Sequence, residues 1–314
     1  MQLIDAFINK EKEVGLRKAF KISLTFVYGM VKEYVSLLPY YISGMTDYYL
    51  NPRALKQHNL KLSVDNEKIK EEFIQSGFQV IDYDIDRDDF NRWLHNIKFS
   101  DTYTKSYGDT FTEKALEHYL SAKLLDLNTN DVFVDVAAAS SPWYDLVEKM
   151  YRCEAFAVDL HFPADKHDAR LIECDATSMP FDDGSISKIA LHCAYEMFEN
   201  DADTNFIREA GRVLKSGGKI IILPLYMSDF YYILSSPKAN RKGINYGKAK
   251  RVWRDDKYKI RFSRHYSVGA FKERVVDYSD KLALKIYHFV NEEQMKQNPG
   301  DQVYVKFGAC FTKE

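Results

Sequence analysis

The chain has 314 residues, 46% of them hydrophobic and 29% charged, and 44 basic side chains face 46 acidic ones for a net charge of −2. That length suits one large domain with an appendage, or two domains, and the composition excludes disordered, collagen-like and coiled-coil chains. The near-neutral balance supplies no global field for nucleic acid.

Cys153, Cys174, Cys193 and Cys310 show no CxxC and no metal-like spacing. They read as buried thiols, with no metal expected and a reducing cytoplasm as the expected compartment. Acidic residues and the lack of an apolar run near the start argue against a signal peptide. The apolar stretch 22–46 is broken by Lys32, Glu33 and Pro39, so no membrane crossing is expected.

The first 100 residues lack strand alternation and are expected to be helical. Phe20, Leu24, Val27, Val31, Val35 and Leu38 recur at spacings of three and four, a helix face that Pro39 should stop. Short helices are expected at 66–75 and 88–97. Thr110-Phe-Thr-Glu113 is a capping-box pattern opening a helix with Leu116, Leu120 and Leu124 as its buried stripe. From Asp131 short apolar runs alternate with helical segments. Strands are expected at 132–138, 154–160, 169–175, 187–193 and 219–225, with helices at 143–151 and 203–214. Runs apolar on both faces argue for a parallel sheet covered on both sides. Two final strands, 281–290 and 302–311, suggest an antiparallel hairpin. The fold class is a doubly wound α/β domain (110–314) behind a helical N-terminal extension (1–109).

Ligands of such sheets bind outside the carboxyl ends of the strands. Asp135, Asp159 and Asp175 lie at three successive strand ends. One such Asp is often only a cap or turn residue, but three in succession point to a nucleoside, with hydroxyls and an exocyclic amine to bind.

The segment ECDATSMPFDDGSISKIALHCAYEMFEND (173–201), followed by FIREAGRVLKSGGKIIILPL (206–225), resembles the linked signatures of class I S-adenosylmethionine-dependent methyltransferases, type 11-like. The resemblance runs from about 113 to 226 and implies a Rossmann-like, seven-stranded sheet with S-adenosyl-L-methionine as cofactor. Carried over by position, it places Asp135 near the methionine end, Asp159 and Leu160 at the ribose, and Asp175 and Ala176 at the adenine. Tyr103 and Tyr107 are candidates to close over the methionine moiety. Two departures stand out. Ala137, Ala139 and Ser141 occupy the places of the family's glycines, and Met197 that of its histidine. A non-glycine residue at positive φ costs roughly 1 kcal/mol or more. The loop is therefore expected to take another path, with Ser140 or Ser141 capping the next helix and Pro142 in its first turn.

Methyl transfer needs alignment, and a base where the nucleophile is a hydroxyl. His192 ends the fourth strand and suits that role, with Glu196 on the same face if the segment is helical. His265 is a second candidate, whereas His161 and His167 read as solvated. Residues 238–264 hold eleven cations against two acids, leaving −11 on the rest of the chain. A basic insertion at about 236–266 is thus a candidate substrate element, with Arg241, Arg251, Arg254, Arg264 and Tyr266 binding an anion. A solvated basic loop is the plainer alternative. Nucleic acid is set aside for want of a recognition module. The N-terminal helices read as a lid in preference to a membrane-surface element, because few Lys or Arg flank their apolar face.

Together these features imply a cytoplasmic methyltransferase acting on a small-molecule or glycan acceptor, with O-methylation of a sugar or sugar phosphate in polysaccharide biosynthesis as the leading reading. That acceptor would be phosphorylated or lipid-linked. The rival is a catalytically degenerate relative that binds a nucleotide, glycan or protein partner through the basic segment.

Overall fold

The computed structural model describes residues 16–59, 65–163 and 168–314, without the side chains of 16–24, 26 and 59. Phe20, Leu24 and His167 therefore lie outside what is described. The chain divides into two compact units. A helical unit comprises residues 1–60, 234–244 and 251–261, and a sheet unit comprises 61–233, 245–250 and 262–314. The segment 66–107, expected in the extension, thus belongs with the sheet, and the basic region 236–266 is divided between the units.

In the helical unit, helix α1 (Leu16–Leu50) does not stop at Pro39 but runs through it. An internal proline costs about 3 kcal/mol. Contacts beyond it hold the helix. Arg241 is buried and donates to the carbonyls of Ser236, Pro237 and Ala239 at 2.8, 3.0 and 3.1 Å, and also to that of Tyr40. The Trp253 indole donates to Asp47 at 2.7 Å. Gly44 is where the helix meets this arginine. A Cβ there would fall 2.7 Å from the Pro237 carbonyl oxygen.

The sheet unit contains α2 (Asn66–Gln75), β1 (Gln79–Tyr83), α3 (Arg87–Asn96), α4 (Asp101–Tyr107) and α5 (Phe111–Leu125). Then come β2 (Val132–Val136), α6 (Trp143–Tyr151), β3 (Glu154–Asp159), β4 (Leu171–Glu173) and β5 (Ile186–His192). The unit closes with α7 (Ala202–Val213), β6 (Leu214–Leu223), α8 (Val268–Arg274), β7 (Leu282–Phe289) and β8 (Phe307–Lys313). The sheet has eight strands, not seven, in the order β1-β7-β8-β6-β5-β2-β3-β4. All pairs are parallel except those of β8 with β7 and β6, so the expected antiparallel ending is present. The extra strand is β1, which pairs with β7 at Ile81↔Tyr287. Its short, half-polar sequence gave no alternation to read, and its partner lies some 200 residues further on.

Strand alternation divides the core into two layers. Val134, Ile220 and Ile222 pack with Phe73 of α2, Phe206 and Ile207 of α7 and Phe271 of α8. Phe133, Ile221 and Leu223 pack on the opposite face with Phe90 and Trp93 of α3, Leu116 and Leu120 of α5 and Trp143 of α6. The expected stripe of Leu116, Leu120 and Leu124 is buried, but so is nearly all of the rest of α5. Its capping box does not form. The Thr110 hydroxyl donates to the Tyr107 carbonyl, and Glu113 accepts from the Tyr304 amide at 2.9 Å. The backbone of that late segment, lacking sheet partners, claims the carboxylate.

Gly44→Ala should destabilise the chain by roughly 1–3 kcal/mol through overpacking against Pro237. Gly29→Ala, with open space around the Cβ, should instead stabilise α1 by roughly 0.5–1 kcal/mol. Denaturant unfolding of both variants checks the contrast.

Candidate functional site

The sheet order reverses between β5 and β2, the adjacent parallel strands from which the chain winds outward in opposite directions. A ligand crevice forms at such a switch point. Asp135 on β2 and His192 at the end of β5 meet there, with His192 Nδ1 3.2 Å from Asp135 Oδ1 and both side chains buried. Burial raises the Asp135 pKa, and the neighbouring His192 opposes that rise.

The loop after β2 corrects the expectation drawn from its missing glycines. Ala137 and Ala139 take φ of 54° and 48°, the left-handed region a glycine would use. The path is kept and the steric cost is borne. Three hydrogen bonds hold it. The Ala139 amide donates to Asp159 Oδ2 at 2.8 Å, the Ala138 amide to the Val158 carbonyl at 3.2 Å, and the Ser141 amide to the Ala138 carbonyl at 2.8 Å. Ser141 Oγ accepts from the Trp143 amide at 3.2 Å, whereas Pro142 precedes the helix instead of entering its first turn.

Two cavities share the walls Ala137 and Cys193. The larger, about 490 Å³, is bounded by Asp159, Leu160, Asp175, Ala176 and Met197. Its rim is apolar, with Leu160 62% and Met197 45% exposed. Asp175 Oδ1 accepts from the Thr177 amide and hydroxyl at 2.8 Å each. Asp159 accepts from the Ala139 and His161 amides. Two carboxylate oxygens offer about four acceptor positions, so each Asp keeps capacity for a ligand. The smaller cavity, about 220 Å³, is bounded by Asp135, Ser141, Tyr103, Tyr107, Lys114, His118 and His192. Neither His118 Nδ1 nor His192 Nε2 has a hydrogen-bond partner among the described residues.

Around this smaller cavity lies a buried polar cluster that sequence reasoning missed. His118 stacks on Trp143 at 4.5 Å and meets His192 edge-on at 4.6 Å, and its Nε2 lies 3.2 Å from the Tyr103 hydroxyl. Burial, with His192 and Lys114 nearby, holds His118 well below its ordinary pKa and hence neutral. The Lys114 ammonium donates to both oxygens of Glu117 at 2.9 Å. Burial opposes its charge, but Glu117 keeps its pKa high. Burial raises Glu113 and Glu117 alike. The sequence reading assigned only Leu116, Leu120 and Leu124 to the buried stripe of this helix. The available signal was the Glu113, Lys114, Glu117, His118 cadence directly ahead of the first strand.

The remaining candidates are dispersed. Glu196 sits in a single 3-10 turn (Tyr195–Met197), not an extended helix. It is buried beside Cys193, 3.5 Å from the thiol, and lines neither cavity itself. Burial pushes Glu196 up to about 7 and the Cys193 thiol up to about 12. His265 stacks on Tyr232 at 4.5 Å and does not join His192. Arg264 and Tyr266 are buried against Asp203, with the Tyr266 hydroxyl donating at 2.7 Å, and they brace the start of α7. Arg241 braces α1, Arg251 pairs with Asp47 at 3.2 Å, and Arg254 pairs with Asp256. Each of these arginines serves an acid or carbonyl of the chain.

Residues 134–222 match the family model described as a methyltransferase domain, so the resemblance carried by 173–201 and 206–225 is borne out over that span. No curated protein matches the chain. Among solved structures, a Haloferax volcanii protein in complex with the Trm112 methyltransferase activator is 15% identical, with 71% of this chain and 96% of that one covered and a TM-score of 0.42. The 1,6-didemethyltoxoflavin-N1-methyltransferase of Burkholderia thailandensis is 12% identical, with 73% and 86% covered and a TM-score of 0.43. The geranyl diphosphate C-methyltransferase of Streptomyces coelicolor is 12% identical, with 70% and 82% covered and a TM-score of 0.42.

Ala139→Gly should stabilise the fold by about 1 kcal/mol, since glycine takes this φ without strain, and Ala139→Val should destabilise it by at least as much. Thermal unfolding distinguishes the two. Glu196 adds a pH dependence. The native state keeps its proton to about pH 7, while the unfolded chain releases it near 4.5. Stability therefore falls as pH rises across that window, by on the order of 3 kcal/mol, and levels off above it. Glu196→Gln should flatten this decline in denaturant titrations at stepped pH.

Proposed function

We propose that the chain is an S-adenosylmethionine-dependent methyltransferase that methylates a hydroxyl of a small polar acceptor, with His192 as general base. The observation that carries this reading is the Asp135–His192 pair at the switch point, with the free Nε2 edge of His192 beside the smaller cavity. The residues fit the cofactor. A nucleoside-sized cavity meets a left-handed loop that brings backbone close, and its apolar rim suits an adenine.

Asp159 and its neighbour Leu160 would hold the ribose, Asp175 the adenine amine, and Ala176 the ring face. Ala137, Ala139 and Ser141 would line the path to the methionine end, with Tyr107 over it. When bound, the cofactor supplies a methyl group on a sulfonium already activated for displacement. Asp135 accepts the Nδ1 proton of His192 and so fixes the tautomer in which Nε2 is basic. Nε2 then takes the acceptor's hydroxyl proton as the hydroxyl becomes the nucleophile. The neutral His118 at 4.6 Å adds no second positive charge as His192 gains its proton.

A sugar or sugar phosphate is the acceptor we favour. Beyond Ser141 and Tyr107, which would serve the methionine end, the small cavity offers Tyr103, Lys114 and two imidazoles, an inventory suited to a polyhydroxylated ring. Four free thiols support work in the cytoplasm.

His192→Ala should lower release of S-adenosylhomocysteine from a panel of sugar and sugar-phosphate acceptors by about 10²–10⁴-fold while sparing cofactor binding. Full activity in that variant would remove His192 from the role. Cofactor binding without turnover on any acceptor would favour the degenerate reading.

A further inference from the structure

The helical unit carries a surface that the reaction does not use. On α1, Val27, Met30, Val31, Tyr34 and Val35 are each 48–64% exposed, and Ile42 and Tyr49 continue the row at 62% and 56%. At 100° per residue these seven fall within about 140° of one another, a single stripe on one side of the helix. From Val27 to Tyr49 it runs about 33 Å. The chain's own packing is on the other side, where Tyr40, Gly44 and Asp47 meet Arg241, Pro237 and Trp253. The stripe is fully outward from Val27 to Val35, whereas Leu38, Tyr41 and Met45 in the same arc are half-buried and Tyr49 bonds to Asp255. A contiguous apolar patch of this kind marks an interaction surface.

Charge identifies the partner. Residues 1–60, 234–244 and 251–261 hold sixteen Lys and Arg against seven Asp and Glu, a net of +9, while the rest of the chain carries −11. Considered alone, the apolar stretch has few cations beside it, and that favoured a lid. The fold supplies them from elsewhere. Lys56 lies 4.9 Å over the Tyr48 ring at the end of the stripe, beside Lys238, whose charge Asp255 already meets. Stripe-to-stripe pairing of two copies would bring two basic units together, which disfavours it. Nucleic acid has no use for exposed Val31, Val35 and Ile42. An anionic bilayer suits both features, with aliphatic side chains for the acyl boundary, tyrosines for the headgroup level and cations for the phosphates. No helix among the described residues is long and apolar enough to cross a membrane, so the mode is docking in the surface.

We propose that the helical unit is a peripheral membrane-docking module whose outward α1 stripe lies in the surface of an anionic bilayer. The test is flotation of the full chain with phosphatidylcholine vesicles, with and without about 30 mol% phosphatidylglycerol. The wild type should float with the anionic vesicles and bind neutral ones at least about tenfold more weakly, with the difference shrinking in high salt. Val31→Ser/Val35→Ser, on exposed positions, should melt like the wild type and lose about tenfold or more in vesicle affinity. Three results would overturn the proposal: no flotation of the wild type, flotation indifferent to the double substitution, or a wild-type dimer that the substitution dissociates in the absence of any vesicle binding. Retention of the chain on single-stranded nucleic acid without vesicle binding would do the same.

Discussion

The hydrogen bond from the Ala139 amide to Asp159, at 2.8 Å, is one of three that shape the trough formed by the two cavities. The loop after β2 needs the left-handed backbone that lets main chain approach a ligand, and the sequence has no glycine there. Two alanines take that conformation at a cost of roughly 1–2 kcal/mol each. Such strain persists where the surroundings over-determine it. Here they do so through Asp159, the Val158 carbonyl and the Ser141 turn. The acid assigned to the ribose therefore also shapes the loop opposite it, and cofactor site and fold stability are joined at one carboxylate.

Behind the trough the sheet unit buries ionisable groups where a core would ordinarily be apolar. Lys114 with Glu117, Asp135 with His192, and His118 with Tyr103 each satisfy part of their hydrogen-bonding capacity within the chain. Three of the atoms left unpartnered, His118 Nδ1, His192 Nε2 and Asp135 Oδ2, belong to residues that line the smaller cavity. Buried polar groups without partners are costly, so a ligand in this cavity that paired with these three would complete the network.

The sheet and the strand-end acids were legible because their signals are local. VFVDVAA, EAFAVDL and SKIALHC are short apolar runs, and the acids follow directly from where those runs end. What escaped is decided at long range. Gln79–Tyr83 becomes a strand only because Leu282–Phe289 offers an edge. Helix α1 survives Pro39 because Arg241 and Trp253 arrive from 200 residues away. The arginines of 238–264 looked available in a linear count, and the fold gives each an acid or carbonyl. The loop misreading was of another kind. The cost of positive φ was correctly named, but three hydrogen bonds outweigh it.

Calorimetric titration of the purified chain with S-adenosylmethionine and S-adenosylhomocysteine tests the central claim most directly. One-to-one binding, weakened at least tenfold or so by Asp159→Ala, is the predicted result. Folded protein that binds neither compound would contradict the cofactor site, and with it the reading of the trough.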